Sequence, residues 1–381
     1  MDINAKHSMA EVYLDNGATT RVDERVAQAA MDAMLVAWGN PSSAHKLGAE
    51  AARRVQRARE QVAAAVGGEA SEITFTSGGT EANALAVLGA ARVKHVVLSA
   101  FEHPSVADAA RALAERGVEV TTVAPSASGV MSPEAFLAAV RPDTALVACM
   151  WVQNEIGTVQ PVDLIARAVK VKVPRCHVHV DAVQALGKLV VDVGGGPFDS
   201  LAISGHKIHA PKGTGALWLR KGARLKPLVF GGGQERGLRP GTEGVPGIVA
   251  LGLATELAVA ARAQAAPRMT AQRERLWWAI VAALPAARRN GEPATTAPHI
   301  LSVGFGGVPA EPLLHALEAA GVYVSAGSAC HAKDKKPSAT LRAIGVPDDM
   351  GTIRLSLSRH TTDEEIARAA EAVVTCVKAL S

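Results

Sequence analysis

Apolar residues in this chain recur as short runs, each followed by a helix-type pattern. "EITFT" (72–76) leads through a glycine turn into "TEANALAVLGAARV", and "HVVLSA" (95–100) leads into "HPSVADAARALAERG". "TALVACMWV" (144–152), "HVHVDA" (177–182), "SLAIS" (200–204) and "GALWL" (215–219) continue the rhythm. Strand–helix alternation of this kind predicts a parallel sheet with helices on both faces. Ligands of such sheets bind beyond the carboxyl ends of the strands, so the residues that follow each run are the ones to inspect.

A long helical pattern starts at "GVPGIVALGLATELAVAARAQ" (244–264) and runs past Trp277 and Trp278 to about Pro285. Beyond it, "HILSVGF" (299–305), "VYVSAG" (322–327) and "TIRLSLS" (352–358) read as strands, alternating with "EPLLHALEAAG" and "TDEEIARAAEAVVTCVKAL". This predicts a second, smaller α+β domain. The expected division is a large domain over 16–260, and a small one made of 1–15 and 261–381.

Composition narrows the class. The 381 residues are 48% hydrophobic and 20% charged, with a net charge of +4 and acidic and basic residues interspersed. That pattern excludes a polybasic nucleic-acid tail or membrane anchor. No stretch of about 18 uninterrupted apolar residues appears, and the first residues lack the apolar core of a secretion signal. Cys149, Cys176, Cys330 and Cys376 have neither paired nor zinc-type spacing, which points to a reducing, cytoplasmic setting.

The candidate chemistry lies at the strand ends. In "TSGGTEANAL" (76–85), Ser77, Gly78, Gly79 and Thr80 join a strand to a helix, as an anion seat would. Taken alone, the better reading is an ordinary glycine turn with Thr80 as N-cap. In "HVHVDAVQALGK" (177–188), alternation puts His177, His179 and Asp181 on one face, which suits either a metal-dependent hydrolase or a buried strand with satisfied histidines. A third reading gives a role to Asp181 alone, whose carboxylate would pair with a pyridinium nitrogen. Lys207 in "SGHKIHAPKGTGAL" (204–217) follows the next strand, where a pocket would lower its pKa and make it nucleophilic. Turn, aspartate and lysine together suit one small molecule, pyridoxal phosphate.

Runs spread over nearly the whole chain resemble the cysteine desulfurases, pyridoxal-phosphate enzymes of fold type I in the class V aminotransferase superfamily. They are "YLDNGATT" (13–20), "GNPSSAHKLG" (39–48), "FTSGGTEANAL" (75–85), "EHPSV" (102–106), "QNEIGTVQPV" (153–162), "HVDAVQALGK" (179–188), "GGGQERGLRPGTE" (231–243), "SAGSAC" (325–330) and "IRLSLSRHTTDEE" (353–365), with the Lys207 run. The resemblance implies an α/β large domain with a mostly parallel seven-stranded sheet, helices on both faces, and a smaller α+β domain. It implies that Lys207 holds the cofactor as a Schiff base. Gly79, Thr80, Ser204 and His206 would bind its phosphate, and Asp181 its ring nitrogen. Gln184 and Asn154 would lie near the ring oxygen, His103 would stack on the ring and move protons, and Arg354 with Asn154 would bind the substrate carboxylate. Thr242 would reach the phosphate of the neighbouring subunit, which implies a homodimer.

Cys330 precedes "HAKDKKPS", which reads as an exposed mobile loop. Lys333, Lys335 and Lys336 there favour a thiolate. The resemblance makes Cys330 the acceptor of sulfur from L-cysteine, with L-alanine as the other product. The length of its loop resembles the group that passes sulfur directly to an iron–sulfur scaffold, a tRNA-thiolation enzyme or a sulfur carrier. His331, with "FGGGQERGLRPGTE", also resembles the selenocysteine lyases, which release selenide and alanine. A binding module without catalysis would be expected to lack Lys207, Asp181 or Cys330, and all three are present.

Overall fold

The computed structural model describes residues 11–90, 93–326 and 338–381. β1 (Val12–Tyr13) is followed by α1 (Glu24–Val36) and α2 (Lys46–Val66), then by the strands of a seven-stranded sheet. These are β2 (Ile73–Thr76), β3 (His95–Ser99), β4 (Glu119–Val123), β5 (Thr144–Met150), β6 (His177–Asp181), β7 (Ser200–Ser204) and β8 (Gly215–Leu219). Their spatial order is β2-β8-β7-β6-β5-β3-β4. All pairings are parallel except the two that β8 makes, with β2 and with β7. The sheet is therefore mixed and mostly parallel, with one reversed strand next to an edge.

Helices α3 (Gly79–Leu88), α4 (Pro104–Ala114), α5 (Pro133–Ala139) and α6 (Val162–Lys172) cross between the parallel strands. β3 is buried throughout and β5 at every residue but Ala145, as expected for strands covered on both faces. β4 breaks that rule: its residues are mostly exposed or half-buried because it is the edge strand. Its mixed sequence "EVTTV" carries no apolar run, which is why the hydrophobic pattern did not predict it.

The long helix is α7 (Val245–Ala283), with Pro267 inside it. By length and composition it could cross a membrane. In this fold it packs against α1 and α2 at one end of the chain and against the last helix at the other, the setting of a core helix.

The remaining elements are β9 (Arg288–Arg289), β10 (Ile300–Gly306), α8 (Ala310–Ala319), β11 (Val322–Tyr323), β12 (Ser325–Ala326), α9 (Ala339–Ala343), β13 (Met350–Ser356) and α10 (Asp363–Leu380). A four-stranded antiparallel sheet has the order β12-β13-β10-β9, and β11 pairs in parallel with β1. The predicted run 322–327 is thus split between two sheets. A second hydrophobic core joins Val12 and Leu14 to residues of α7, β10, α8, β13 and α10. α10 begins with a capping box, in which Thr362 and Glu365 satisfy each other's backbone N–H groups.

Candidate functional site

Register fixes the floor of the site. Met150 is the partner of Asp181 across β5 and β6, and Asp181 is the partner of Ala202 across β6 and β7. The carboxyl ends of these strands, with those of β2 and β3, open on a cavity of about 340 Å³. Lys207, His103, Gly79, Thr80, Asp181, Gln184, Ser204, His206, Asn154 and Arg354 all line it. Thr242 does not line this cavity and is exposed. Cys330 and His331, with the nearby lysines, lie outside the described residues.

Asp181 is buried and accepts two hydrogen bonds, from Val183 N (2.9 Å) to Oδ1 and from Asn83 Nδ2 (2.7 Å) to Oδ2. The other Asn83 N–H reaches Ser105 Oγ (2.9 Å), and its carbonyl oxygen faces His179 Nε2 (2.9 Å). His179 Nδ1 and His177 Nε2 both meet Ser200 Oγ, at 2.8 and 2.7 Å. Burial pushes these imidazoles down, to about 3 for His179 and about 4 for His177. The two histidines are thus committed to Ser200 and Asn83. Among the described residues, no group of three His, Cys, Asp or Glu side chains is placed to hold a metal ion.

His103 caps α4. Its Nδ1 accepts the Ser105 N–H (3.1 Å), which leaves the neutral ring's proton on Nε2. Burial lowers its pKa, Asp181 opposes that shift, and Lys207 adds to it.

The turn before α3 shows why glycine stands there. A Cβ on Gly79 would lie 2.7 Å from Val183 Cγ2 and 3.4 Å from Ser204 Cβ. Only a residue without a side chain lets the helix start so close to β7. The N-cap, Gly78, supplies no side-chain cap, so the first N–H groups of α3 stay available to an anion beside Thr80, Ser204 and His206.

Lys207 ends a 3₁₀ turn (Gly205–Lys207) straight after β7. Its Nζ donates to the carbonyl oxygens of Gly17 (2.7 Å) and Ala18 (2.6 Å). Gln184 Nε2 donates to the same Gly17 oxygen (2.9 Å), while its Oε1 faces His299 Nε2 (3.2 Å). The run "YLDNGATT" therefore supplies a wall of the cavity through its backbone, which side-chain reasoning could not assign. Behind Lys207, the Lys188 ammonium donates to the Lys207 carbonyl (2.7 Å). Burial, with Lys207 and Arg359 nearby, pushes Lys188 down to about 7.

Arg354 comes from β13 and is buried. It donates to the Asn154 carbonyl (2.8 Å) and to Asp15 Oδ1 (2.7 Å), and its Nε is buried with no partner among the described residues. Ser325 of β12 is in register with Arg354, so the described chain stops at Ala326 next to this arginine. It resumes at Ser338, whose Oγ donates to Glu155 Oε2 (2.5 Å), and Thr340 accepts from Gln153 Nε2 (3.0 Å). Gln153, Glu155 and Thr340 line the same cavity.

Asn83, Glu102 and Thr340 are site residues that the sequence reading did not single out. Asn83 had a signal: it lies one helical turn beyond Thr80, on the same face of α3.

The family model for aminotransferase class-V matches residues 12–369. A cysteine desulfurase of Trichormus azollae is 41% identical over 378 residues, covering 98% of this chain and 94% of that protein. A solved NifS-like protein superposes with a TM-score of 0.92 at 36% identity, over 97% of this chain and 100% of its own. A structure described as SspA in complex with cysteine has a TM-score of 0.80 at 32% identity, over 92% of this chain and 100% of its own.

Proposed function

Because this chain belongs to the aminotransferase class-V family and is a cysteine desulfurase of that family, we propose that its cavity holds pyridoxal phosphate and L-cysteine side by side. The family depends on this cofactor, and the residues present fit it. An uncapped helix start beside Ser204, Thr80 and His206 suits its phosphate, and the twice hydrogen-bonded Asp181 suits a protonated ring nitrogen. Gln184 and Asn154 suit the ring oxygen. When bound, the cofactor supplies an electrophilic carbon for the substrate amine and a conjugated ring that stores the electron pair released at the substrate carbon.

The protein's side chains then do the following. Lys207 takes the proton from the substrate Cα and returns one later, its Nζ held at the cavity wall by Gly17 and Ala18. Arg354 and Asn154 hold the substrate carboxylate, a task suited to a planar guanidinium with several donors. His103 carries its proton on Nε2 and passes it to or from the substrate thiol. The Cys330 thiolate forms a bond to the substrate sulfur as the substrate Cβ–S bond breaks. The electron pair left at Cβ takes up a proton, which gives alanine and a persulfide on Cys330.

The persulfide passes to an acceptor protein, an iron–sulfur scaffold or a sulfur carrier, from a cytoplasmic homodimer in which Thr242 reaches the neighbouring site. The observation that carries the reading is the meeting of Lys207, Asp181 and Arg354 in one cavity from two different sheets. Alanine release from L-cysteine and L-selenocysteine, with a reductant, tests it in the wild type and in Cys330→Ala. The expected result is turnover of L-cysteine that the variant loses. Turnover of L-selenocysteine alone would replace the reading with that of a selenocysteine lyase.

A further inference from the structure

Glu102 lies between β3 and α4, directly before His103, and has no role in the chemistry above. Its Oε1 is fixed by two donors, Ser99 Oγ (2.5 Å) at the end of β3 and Met150 N (2.7 Å) at the end of β5. Met150 is in register with Asp181, so two carboxyl groups sit over neighbouring strand ends. Other atoms of Glu102 are partly exposed, but its Oε2 is sealed from solvent and has no hydrogen-bond partner among the described residues. Glu102 also contributes to two cavities: the site itself, and one of about 290 Å³ on the far side, shared with Arg111 and Thr122.

We propose that Glu102 is a positioning residue of this site, held as an uncharged carboxylic acid so that it adds no second negative charge beside Asp181 at the neighbouring strand end. Both contacts reach Oε1, which leaves Oε2 without a donor. A bare anionic oxygen there would be buried next to a second anion, which burial and the neighbouring charge both disfavour. The groups that face Glu102 do not reverse this. Asp181 on β6 disfavours its ionisation; Cys149 on β5 is itself pushed well above the ordinary thiol range by burial, so it stays a neutral thiol. His103 on α4 is pushed down towards its neutral form, and Arg111 on α4 is ion-paired to Asp108. Burial, followed by the Asp181 charge, raises the Glu102 carboxyl to about 8. Ionisation above that pH places a second negative charge beside the group that pairs with the ring nitrogen. The link to the ring nitrogen rests on the cofactor reading given above; the protonation of Glu102 does not.

The test compares the wild-type holoenzyme with Glu102→Gln, an uncharged isostere. A carboxyl raised from its unfolded value to about 8 contributes stability that is fully present at low pH and is lost as pH rises towards 8. The Tm advantage of E102Q over the wild type should therefore grow from pH 5 to pH 8 and then level off. An advantage that is constant with pH overturns the proposal. If E102Q does not fold, the wild type alone decides. Its infrared spectrum at neutral pH should contain a protonated-carboxyl stretch that disappears near pH 8, and absence of that band overturns the proposal. The cofactor absorbance gives the positioning readout. Wild type and E102Q should titrate alike at neutral pH and diverge above pH 8, whereas divergence already at pH 6 means that a charged Glu102 is required. A protein that binds no chromophore sinks the cofactor reading while leaving the Tm comparison valid.

Discussion

The Asn83 amide joins the two halves of the site: its Nδ2 lies 2.7 Å from Asp181 Oδ2, and its carbonyl oxygen lies 2.9 Å from His179 Nε2. Asn83 thereby holds the Asp181 carboxylate still with a partner that the Ser200–His179 pair orients in turn. Asn83→Ala removes one of the two donors to Asp181 and strips the buried His179 of its acceptor. A hydrogen bond to a charged group is worth about 1.5–3 kcal/mol, so kcat/KM for L-cysteine should fall by about 10- to 100-fold. Steady-state kinetics and cofactor retention on gel filtration check this. An unchanged kcat/KM would mean that Val183 N alone positions the aspartate.

Gly79→Ala brings a methyl group to 2.7 Å from Val183 Cγ2. The start of α3 must shift away from β7, at a cost of about 1–3 kcal/mol. The expected result is weaker cofactor binding, read from the dissociation constant of pyridoxal phosphate in equilibrium dialysis. Loss of thermal stability with cofactor affinity intact would show that the helix start is not the phosphate seat.

Lys188 gives a pH signature opposite in sign to that of Glu102. Burial and its cationic neighbours lower its folded-state pKa to about 7, against about 10.5 unfolded. Between those values the unfolded chain binds the extra proton, so this contribution to stability rises with pH from 7 to 10. The Tm of the wild type should therefore gain on that of Lys188→Met across this interval. Parallel Tm curves would show that Lys188 titrates normally.

A buried ion pair anchors the segment that carries Thr242. Arg59 donates to both Glu235 carboxylate oxygens at 2.7 Å, and Glu235 also accepts the Phe75 N–H (3.1 Å) of β2. Glu235 adopts φ 47°, in the left-handed region, which a non-glycine residue holds only when its contacts enforce it. Glu235→Ala leaves Arg59 buried and unpaired and should cost about 3–5 kcal/mol, measured by urea unfolding. Dissociation of the proposed homodimer in analytical ultracentrifugation should shift to higher protein concentration. A cost below about 1 kcal/mol, the range of exposed pairs, would show the bridge to be solvent-screened.

Much of this molecule was readable from its sequence, because the informative features were local. Strand runs such as 144–152 and 177–182 announced themselves by continuous burial, and the residues just after them proved to line the cavity. The edge strand at 119–123 was not readable, since an edge carries no two-sided burial. The reversal of β8 was hidden for a different reason: "GALWL" has the same apolar pattern in either direction, and strand direction depends on pairing. Glu102 was missed because its neighbour His103 carried the family match. Nothing in "FEHPS" states that one oxygen of that glutamate lacks a donor. The paired histidines 177 and 179 looked like ligands until Ser200 and Asn83 were seen beside them. Long-range partners of this kind depend on the three-dimensional fold.

The stretch that contains Cys330 leaves the described chain at Ala326, next to Arg354, and rejoins it at Ser338, bonded to Glu155. Arg354 and Glu155, which these two ends meet, belong to the walls of the cavity. Cys330 lies four positions beyond Ala326 in the sequence. For the sulfur-carrying role proposed for Cys330, covalent attachment to the protein that binds the substrate makes the first transfer intramolecular. Its rate is then independent of how much enzyme is present. The hand-over to an acceptor is a two-body encounter and slows with dilution. The same attachment therefore makes loading of the persulfide independent of the enzyme level and leaves the acceptor's abundance to set the flux.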